Sequence, residues 1–222
     1  VIQRFGGLLG WLAYAVSGAY RGRLRANAAR AGLGAAQRRA AVGHAGRMVA
    51  ELPWLWLRPN ERPIEPLVQW VHADAIDRAV AAGRGLVLLT PHLGCFEVVA
   101  MSYAERWGRD SPLTALYRPA RQAWLRRWQE TSRRRPGLHT AAASLAGVRQ
   151  MLRALRRGET LGLLPDQVPP EGLGVWVPFF GTEAYTMTLA AKLLLQTGAA
   201  WLVVWGERLP GGGGWRVQVH EP

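Results

Sequence analysis

The sequence predicts an α/β fold in which a mixed, largely parallel sheet is flanked by helices. Short apolar runs alternate along the chain with segments of helical periodicity, and glycine or proline separates most of them. The 222 residues are 49% hydrophobic and 19% charged. These proportions suit one domain with a substantial core and argue against disorder.

The stretch that organises the prediction is residues 83–100, GRGLVLLTPHLGCFEVVA. The apolar run 85–90, closed by Pro91, predicts a buried strand, and the segment FEVVAMSYA predicts a helix. His92 is therefore expected on a strand-to-helix turn, with Glu97 in the first helical turns. Histidine titrates near neutrality, and a nearby carboxylate fixes its tautomer and stabilises the imidazolium. We interpret the two residues as a catalytic pair, the alternative being a turn histidine beside a helix-capping acid.

An uncharged segment, residues 5–20, precedes the predicted sheet and is flanked by Arg4, Arg21, Arg23 and Arg25. It is shorter than the roughly 20 residues that cross a bilayer. It predicts a truncated transmembrane helix or an interfacial helix, and a buried hydrophobic helix stays open as the alternative. Since the chain opens on Val1 and stops just after a predicted strand, we expect a fragment of a longer protein.

Three further segments precede the central stretch. Residues 24–51 predict one or two helices with a break near Gly32 and Gly34. Residues 52–65 contain three prolines and predict a connector. Residues 68–82 show helical spacing.

The remainder of the chain continues the alternation of strands and helices. Further strands are predicted at residues 111–117, 160–164, 200–205 and 215–220. Further helices are predicted at residues 122–135, 144–157 and 186–197. In the second of these helices, Leu145, Val148, Leu152 and Leu155 form one apolar stripe, with Ser144 as the cap. Residues 168–174 are expected to form a loop, and residues 175–180 an apolar edge or surface segment.

Polar side chains follow three of the predicted strands. His92 follows the first, Arg118 the second and Asp166 the third. Because parallel strands present their carboxyl ends at one edge of a sheet, where α/β proteins bind ligands, we expect these groups to converge there.

The charge balance favours an acidic partner. The chain has 28 basic and 15 acidic residues, a net charge of +13, and Lys192 is the only lysine. Nucleic acid, an anionic membrane, a phosphorylated lipid or an acidic carrier protein would each fit. A single cysteine, Cys95, excludes an intramolecular disulfide framework and a cysteine-rich zinc site. Its interpretation as a small hydrophobe is favoured over that of a nucleophile paired with His92.

A histidine–carboxylate pair without a protein nucleophile suits the transfer of a group onto a substrate hydroxyl. His92 would remove the hydroxyl proton while the oxygen attacks a carbonyl. Backbone N–H groups near Gly94 are candidate donors to the oxyanion, and Arg118 would serve there or on a phosphate.

Several motifs together resemble those of the late acyltransferases of lipid A biosynthesis, the lauroyl and myristoyl acyltransferases of the lysophospholipid acyltransferase superfamily. They are His92-Leu-Gly-Cys-Phe-Glu97, Tyr117-Arg118-Pro119, Leu164-Pro165-Asp166-Gln167, Pro178-Phe179-Phe180-Gly181 and the helix start from Thr186 to Ala191. They occur in order over nearly the whole chain. Gln122 and Lys192 depart from the pattern, in which asparagine and arginine are expected.

The resemblance implies a glycerolipid-acyltransferase-like fold, with a truncated membrane-associated helix at residues 1–25 and an acyltransferase domain, incomplete at its C-terminus, at residues 26–222. It implies an enzyme at the cytoplasmic face of the bacterial inner membrane. This enzyme would move a fatty acyl chain from acyl carrier protein to a hydroxyl of a phosphorylated glycolipid, a lipid A precursor, without metal or dissociable cofactor.

Residue by residue, the resemblance implies that His92 and Glu97 are catalytic. It implies substrate binding by Arg118, Asp166, Gln167 and Gly181. Alternatives are an acyltransferase acting on another glycolipid or a lysophospholipid, and a catalytically silent relative that binds lipid. A nucleic-acid partner is not expected, because the aromatic residues form no stacking motif.

Overall fold

A computed structural model of the chain describes residues 2–118, 120, 122 and 135–222. The residues group into two compact units. The first comprises Val1–Leu57 with Trp176–Ala184, and the second comprises Arg58–Val175 with Tyr185–Pro222. Most of the helix predicted at residues 122–135 lies outside the described residues.

Three helices make up most of the first unit: α1 (Ile2–Val16), α2 (Gly18–Arg30) and α3 (Ala35–Trp56). The uncharged segment is divided at Ser17, whose hydroxyl accepts a hydrogen bond from the Tyr20 N–H at 3.2 Å and caps α2. The predicted break near Gly32 is confirmed, and this glycine has a φ of +70°.

Glycines bring α1 and α3 into backbone contact. Gly6 and Gly10 are buried on α1 and face Gly46 of α3. A Cβ atom on Gly46 would lie 2.1 Å from the Gly6 carbonyl oxygen and 2.4 Å from the Gly10 nitrogen. The helices can pack this closely only because these positions carry no side chain.

The large apolar side chains of α1 lie away from this contact. Those of Phe5, Leu8, Leu12 and Val16 are between 57% and 74% exposed. Within residues 2–118, 120, 122 and 135–222, no helix combines the length and the apolar character needed to cross a membrane.

A seven-stranded sheet forms the centre of the second unit. Its strands are β1 (Val68–Val71), β2 (Leu86–Leu89), β3 (Leu113–Tyr117), β4 (Leu138–Ala142), β5 (Thr160–Leu163), β8 (Ala200–Arg208) and β9 (Trp215–His220). Their order is β1-β9-β8-β2-β5-β3-β4, and every neighbouring pair is parallel except β8 with β9. The predicted mixed, largely parallel sheet is confirmed. The remaining strands, β6 (Gly174–Phe179) and β7 (Thr182–Met187), form a separate hairpin.

Four described helices accompany this sheet: α4 (Asp74–Ala81), α5 (Phe96–Trp107), α6 (Leu145–Arg156) and α7 (Leu189–Thr197). Side chains from β2, β5, α6 and α7 form one apolar core cluster, which includes Val87, Leu161, Leu163, Met151, Leu155 and Leu193. The Ser144 hydroxyl caps α6 as predicted, accepting from the Gly147 N–H. The predicted apolar stripe on α6 is wrong at its start, because Leu145 is 80% exposed. Met151, which was not part of the predicted stripe, is buried.

The prediction of a helix over residues 68–82 is wrong in its first half. Val68 to Val71 form an edge strand that pairs with β9, from Val68 opposite Trp215 to Val71 opposite Gln218. The helical spacing belongs only to α4. The strand β4 was not predicted, because its sequence, LHTAA, is rich in alanine, which has low strand propensity.

Two predicted boundaries also differ. Helix α3 continues through Pro53 to Trp56, where a connector was expected. Pro53 has no N–H donor of its own, but helical hydrogen bonding continues beyond it, since the Leu57 N–H donates to the Pro53 carbonyl at 3.0 Å. The helix predicted from residue 186 begins at Leu189, since Thr186 and Met187 still belong to β7.

Candidate active site

The central strands bring His92 and Asp166 together. Strands β2 and β5 are parallel neighbours, with Leu89 opposite Leu163, and the Thr90 N–H donates to the Leu163 carbonyl at 2.9 Å. His92 and Asp166 each lie three residues beyond that last register pair. The two side chains therefore meet at the carboxyl edge of the sheet, as the sequence predicts for polar groups after these strands.

The Asp166 carboxylate holds His92 at two points. One carboxylate oxygen lies 2.7 Å from His92 Nδ1, and the other accepts a hydrogen bond from the His92 backbone N–H at 2.8 Å. The carboxylate thereby fixes both the ring and the turn that carries it. With a hydrogen on Nδ1 facing the carboxylate, the neutral ring keeps its lone pair on Nε2, which is the arrangement of a general base.

The other sides of the imidazole are contacted by Gln167 and Phe96. Gln167 Nε2 lies 3.2 Å from His92 Nε2. The Phe96 ring packs edge-on against the imidazole, with a centroid distance of 5.0 Å. The side chains of His92 and Asp166 are 31% and 39% exposed, so the pair is accessible from solvent.

A close approach between two backbones shapes the His92 turn. Gly94 has a φ of +66° and forms a bridge with Gly206 of β8. A Cβ atom on Gly94 would lie 2.0 Å from the Gly206 carbonyl oxygen, which also accepts a hydrogen bond from the Cys95 N–H at 2.8 Å. The Cys95 N–H is thus engaged within the fold, so it is removed from the oxyanion donors expected near Gly94. The Cys95 side chain is buried.

A carboxylate other than that of Glu97 lies at Nδ1 of the ring. It belongs to Asp166, whereas the predicted role of Glu97, to stabilise the charged ring, stays a prediction. Glu97 lies in the first turn of α5 and is only 7% exposed. Asp166 was singled out in the sequence as a group at a strand end, but its pairing with His92 depends on the adjacency of β2 and β5.

The other predicted site residues fall in different places. Arg118 is exposed and immediately follows β3, which neighbours β5 through the pair Ala115 and Gly162. It therefore follows a strand that ends at the same sheet edge as β5. Gly181 lies between β6 and β7, within the first unit, with a φ of +72°.

Comparisons with known proteins agree on the family. The family model for bacterial lipid A biosynthesis acyltransferases matches residues 1–222. The chain is 25% identical over 181 residues to the lipid A biosynthesis lauroyltransferase of Escherichia coli K12, with 80% of this chain and 55% of the relative covered. It is 28% identical over 185 residues to the phosphatidylinositol mannoside acyltransferase of Mycobacterium tuberculosis CDC 1551 / Oshkosh, with the same coverage.

A third relative is the lipid A biosynthesis palmitoleoyltransferase of Escherichia coli K12. It is 27% identical over 178 residues, which cover 78% of this chain and 55% of the relative. The chain spans about half the length of the curated relatives it matches. The match of the family model over all 222 residues confirms the resemblance seen in the motifs, and the chain belongs to the bacterial lipid A biosynthesis acyltransferase family.

Proposed function

We propose that the chain transfers a fatty acyl group from acyl carrier protein to a hydroxyl of a lipid A precursor in lipopolysaccharide biosynthesis. The observation that carries this proposal is the contact of 2.7 Å between Asp166 and His92 at the carboxyl edge of β2 and β5. A histidine held in this way can act as a general base on a hydroxyl that the substrate supplies. An acceptor hydroxyl meets that need.

The proposed reaction uses Nε2 of His92. Nε2 takes the proton of the acceptor hydroxyl while the hydroxyl oxygen attacks the thioester carbonyl. The carbon–sulfur bond of the tetrahedral intermediate then breaks, and the departing thiolate takes the proton back from the imidazolium. Asp166 stabilises the charged ring between these steps.

The proposed role of Glu97 is separate from that of Asp166. Glu97 matches the acid of the family motif and lies at the start of the helix that follows the His92 turn. We retain it as a predicted catalytic residue that supports the site without holding the ring through Nδ1. Substrate contacts are proposed for Arg118 and Gly181.

Charge and exposed apolar surface support the proposed partners and location. The net charge of +13 complements an acidic carrier protein and a phosphorylated glycolipid. The exposed apolar side chains of α1 suit a helix that lies in a lipid interface. We therefore place the protein at the cytoplasmic face of the inner membrane and expect no metal or dissociable cofactor.

A second acceptor is favoured by one specific comparison. The mycobacterial relative named for phosphatidylinositol mannoside is 28% identical over the same share of the chain as the lauroyltransferase match. A mannosylated phosphatidylinositol would use the same base and the same thioester chemistry. Only the acceptor would differ.

Acyl transfer measured with both acceptors tests the proposal. Membranes containing the protein are supplied with acyl carrier protein thioesters of several chain lengths, and either a tetra-acylated lipid A precursor or a mannosylated phosphatidylinositol. We expect transfer to the lipid A precursor, a loss of several orders of magnitude in His92→Ala, and normal transfer in His139→Ala, which removes an exposed histidine on β4. Transfer only to the mannosylated lipid would show that this lipid, and not the lipid A precursor, is the acceptor. Transfer to no lipid would contradict the proposal.

A further inference from the structure

Both ring nitrogens of His92 lie within hydrogen-bond distance of side chains of the same protein. Asp166 occupies Nδ1, and the carboxamide of Gln167 lies 3.2 Å from Nε2. Nε2 is the atom that must receive the proton of the acceptor hydroxyl. The side chain of Gln167 therefore stands where that hydroxyl has to bind.

The identity of the Gln167 atom follows from the partner on the opposite side of the ring. A carboxylate only accepts hydrogen bonds, so the hydrogen of the neutral imidazole is on Nδ1 and Nε2 is an acceptor. An acceptor requires the NH₂ group of Gln167, which is the group that faces it. Gln167 thus stabilises the ring in the state that acts as a base while covering its reactive nitrogen.

We propose that Gln167 is a positioning residue that caps the catalytic base until an acceptor hydroxyl displaces it. The proposal rests on the proposed function, in which a thioester is the acyl donor. With Nε2 open, a water molecule could lose its proton to Nε2 and attack the thioester carbonyl. The carbon–sulfur bond would break, the thiolate would leave with that proton, and free fatty acid and thiol would form. While the Gln167 carboxamide is bonded to Nε2, a water molecule cannot bind there.

The contact is suited to exchange. Its partners are neutral and its distance of 3.2 Å is at the long end for a hydrogen bond. Gln167 is exposed in the segment after β5, so a displaced carboxamide is solvated by water. One such hydrogen bond shifts an equilibrium by about fivefold. An acceptor bound by the rest of the site can compete with it.

The first test measures access to Nε2 without any substrate. Diethyl pyrocarbonate acylates unprotonated imidazole nitrogen, and mass spectrometry of the peptide that contains His92 gives the rate. We expect Gln167→Ala to raise this rate about fivefold, whereas the control Gln196→Ala, on the exposed surface of α7, leaves it unchanged. An equal rate in wild type and Gln167→Ala would overturn the proposal.

The second test measures both reactions of the thioester. In Gln167→Ala we expect the KM for the acceptor to fall about fivefold, kcat to change less than about twofold, and thioester hydrolysis without acceptor to rise. In Gln167→Asn the side chain is one methylene shorter, so its amide no longer reaches Nε2. We expect this variant to show the same changes as Gln167→Ala, and it replaces Gln167→Ala in the assay if the alanine variant folds poorly. A fall in kcat at constant KM would overturn the proposal, because it would mean that Gln167 stabilises the transition state instead of covering Nε2. If wild type transfers to no lipid, the proposed function fails, and the diethyl pyrocarbonate rates still decide the cap.

Discussion

At the residue scale, the His92 turn depends on the absence of a side chain at Gly94. Gly94→Ala would place a Cβ atom 2.0 Å from the Gly206 carbonyl oxygen and would also strain a φ of +66°. We expect loss of acyl transfer and a fall in the free energy of unfolding of more than about 3 kcal/mol. Urea unfolding and the transfer assay measure these effects.

Gly32→Ala is the matched control for this substitution. Gly32 has a similar φ of +70°, but a Cβ atom there meets nothing within 4 Å. Gly32→Ala should therefore lower the free energy of unfolding by only about 1–2 kcal/mol, from backbone strain. Equal losses in the two variants would show that the approach to Gly206 is unimportant.

A buried cluster of three hydroxyl groups makes the stability of the fold sensitive to alkaline pH. The Tyr103 hydroxyl lies 2.7 Å from Thr160 Oγ1, which lies 2.8 Å from Ser111 Oγ. Burial raises the pKa of Tyr103. The unfolded chain therefore ionises this tyrosine first, so the stability it contributes is present below about pH 10 and is lost as pH rises.

Tyr103→Phe isolates that contribution. At about pH 8, wild type should be more stable by about 1 kcal/mol, the value of one neutral hydrogen bond. Its advantage should shrink between about pH 9 and about pH 11, as measured by urea unfolding. A constant difference across this range would contradict the account.

The site also shows what could be predicted from single residues. The residue types were sufficient to identify His92 as a base and Asp166 as a polar group at a strand end. The sequence favoured Glu97 as the carboxylate beside His92, because Glu97 lies only five residues further along the chain. The contact of Asp166 with Nδ1 follows from the register of β2 and β5, in which Leu89 lies opposite Leu163.

At the element scale, the contact between α1 and α3 is sensitive to one methyl group. A Cβ atom on Gly10 would lie 2.3 Å from the Val42 carbonyl oxygen, on the backbone of α3. Gly10→Ala should lower the free energy of unfolding of the first unit by at least about 2 kcal/mol, despite the higher helix propensity of alanine. Thermal unfolding followed by far-UV circular dichroism measures the change.

The control for this prediction is a glycine on the next helix. Gly22 of α2 is exposed, and a Cβ atom there meets nothing within 4 Å. Gly22→Ala should therefore stabilise the helix by about 0.5–1 kcal/mol. Stabilisation by both substitutions would contradict the close packing of α1 and α3.

Elements with a strong local signal were predicted well, and those shaped by distant partners were not. Ser144 marked the start of α6, and Pro91 the end of the segment that contains β2. The edge strand β1 has only four residues, and its strand conformation depends on pairing with β9, about 150 residues later in the chain. Tertiary pairing of this kind leaves no local pattern.

At the scale of the whole molecule, the order of the strands creates the site. The sequence predicts parallel strands with polar groups at their ends, but not that β5 inserts between β2 and β3. That insertion places Asp166 beside His92. Three of the motifs that indicated the family contain His92, Arg118 and Asp166, which follow strands β2, β3 and β5 of this sheet.

The most direct test of this account is acyl transfer by Asp166→Asn compared with Glu97→Gln, in membranes that contain equal amounts of each folded protein. An amide at position 166 keeps the size of the side chain but cannot stabilise the imidazolium. We predict that Asp166→Asn lowers kcat by about 10²–10⁴-fold, as expected for loss of the carboxylate that orients a catalytic histidine. Activity close to wild type in Asp166→Asn would contradict the assignment of Asp166 as the partner of His92, whatever the loss in Glu97→Gln.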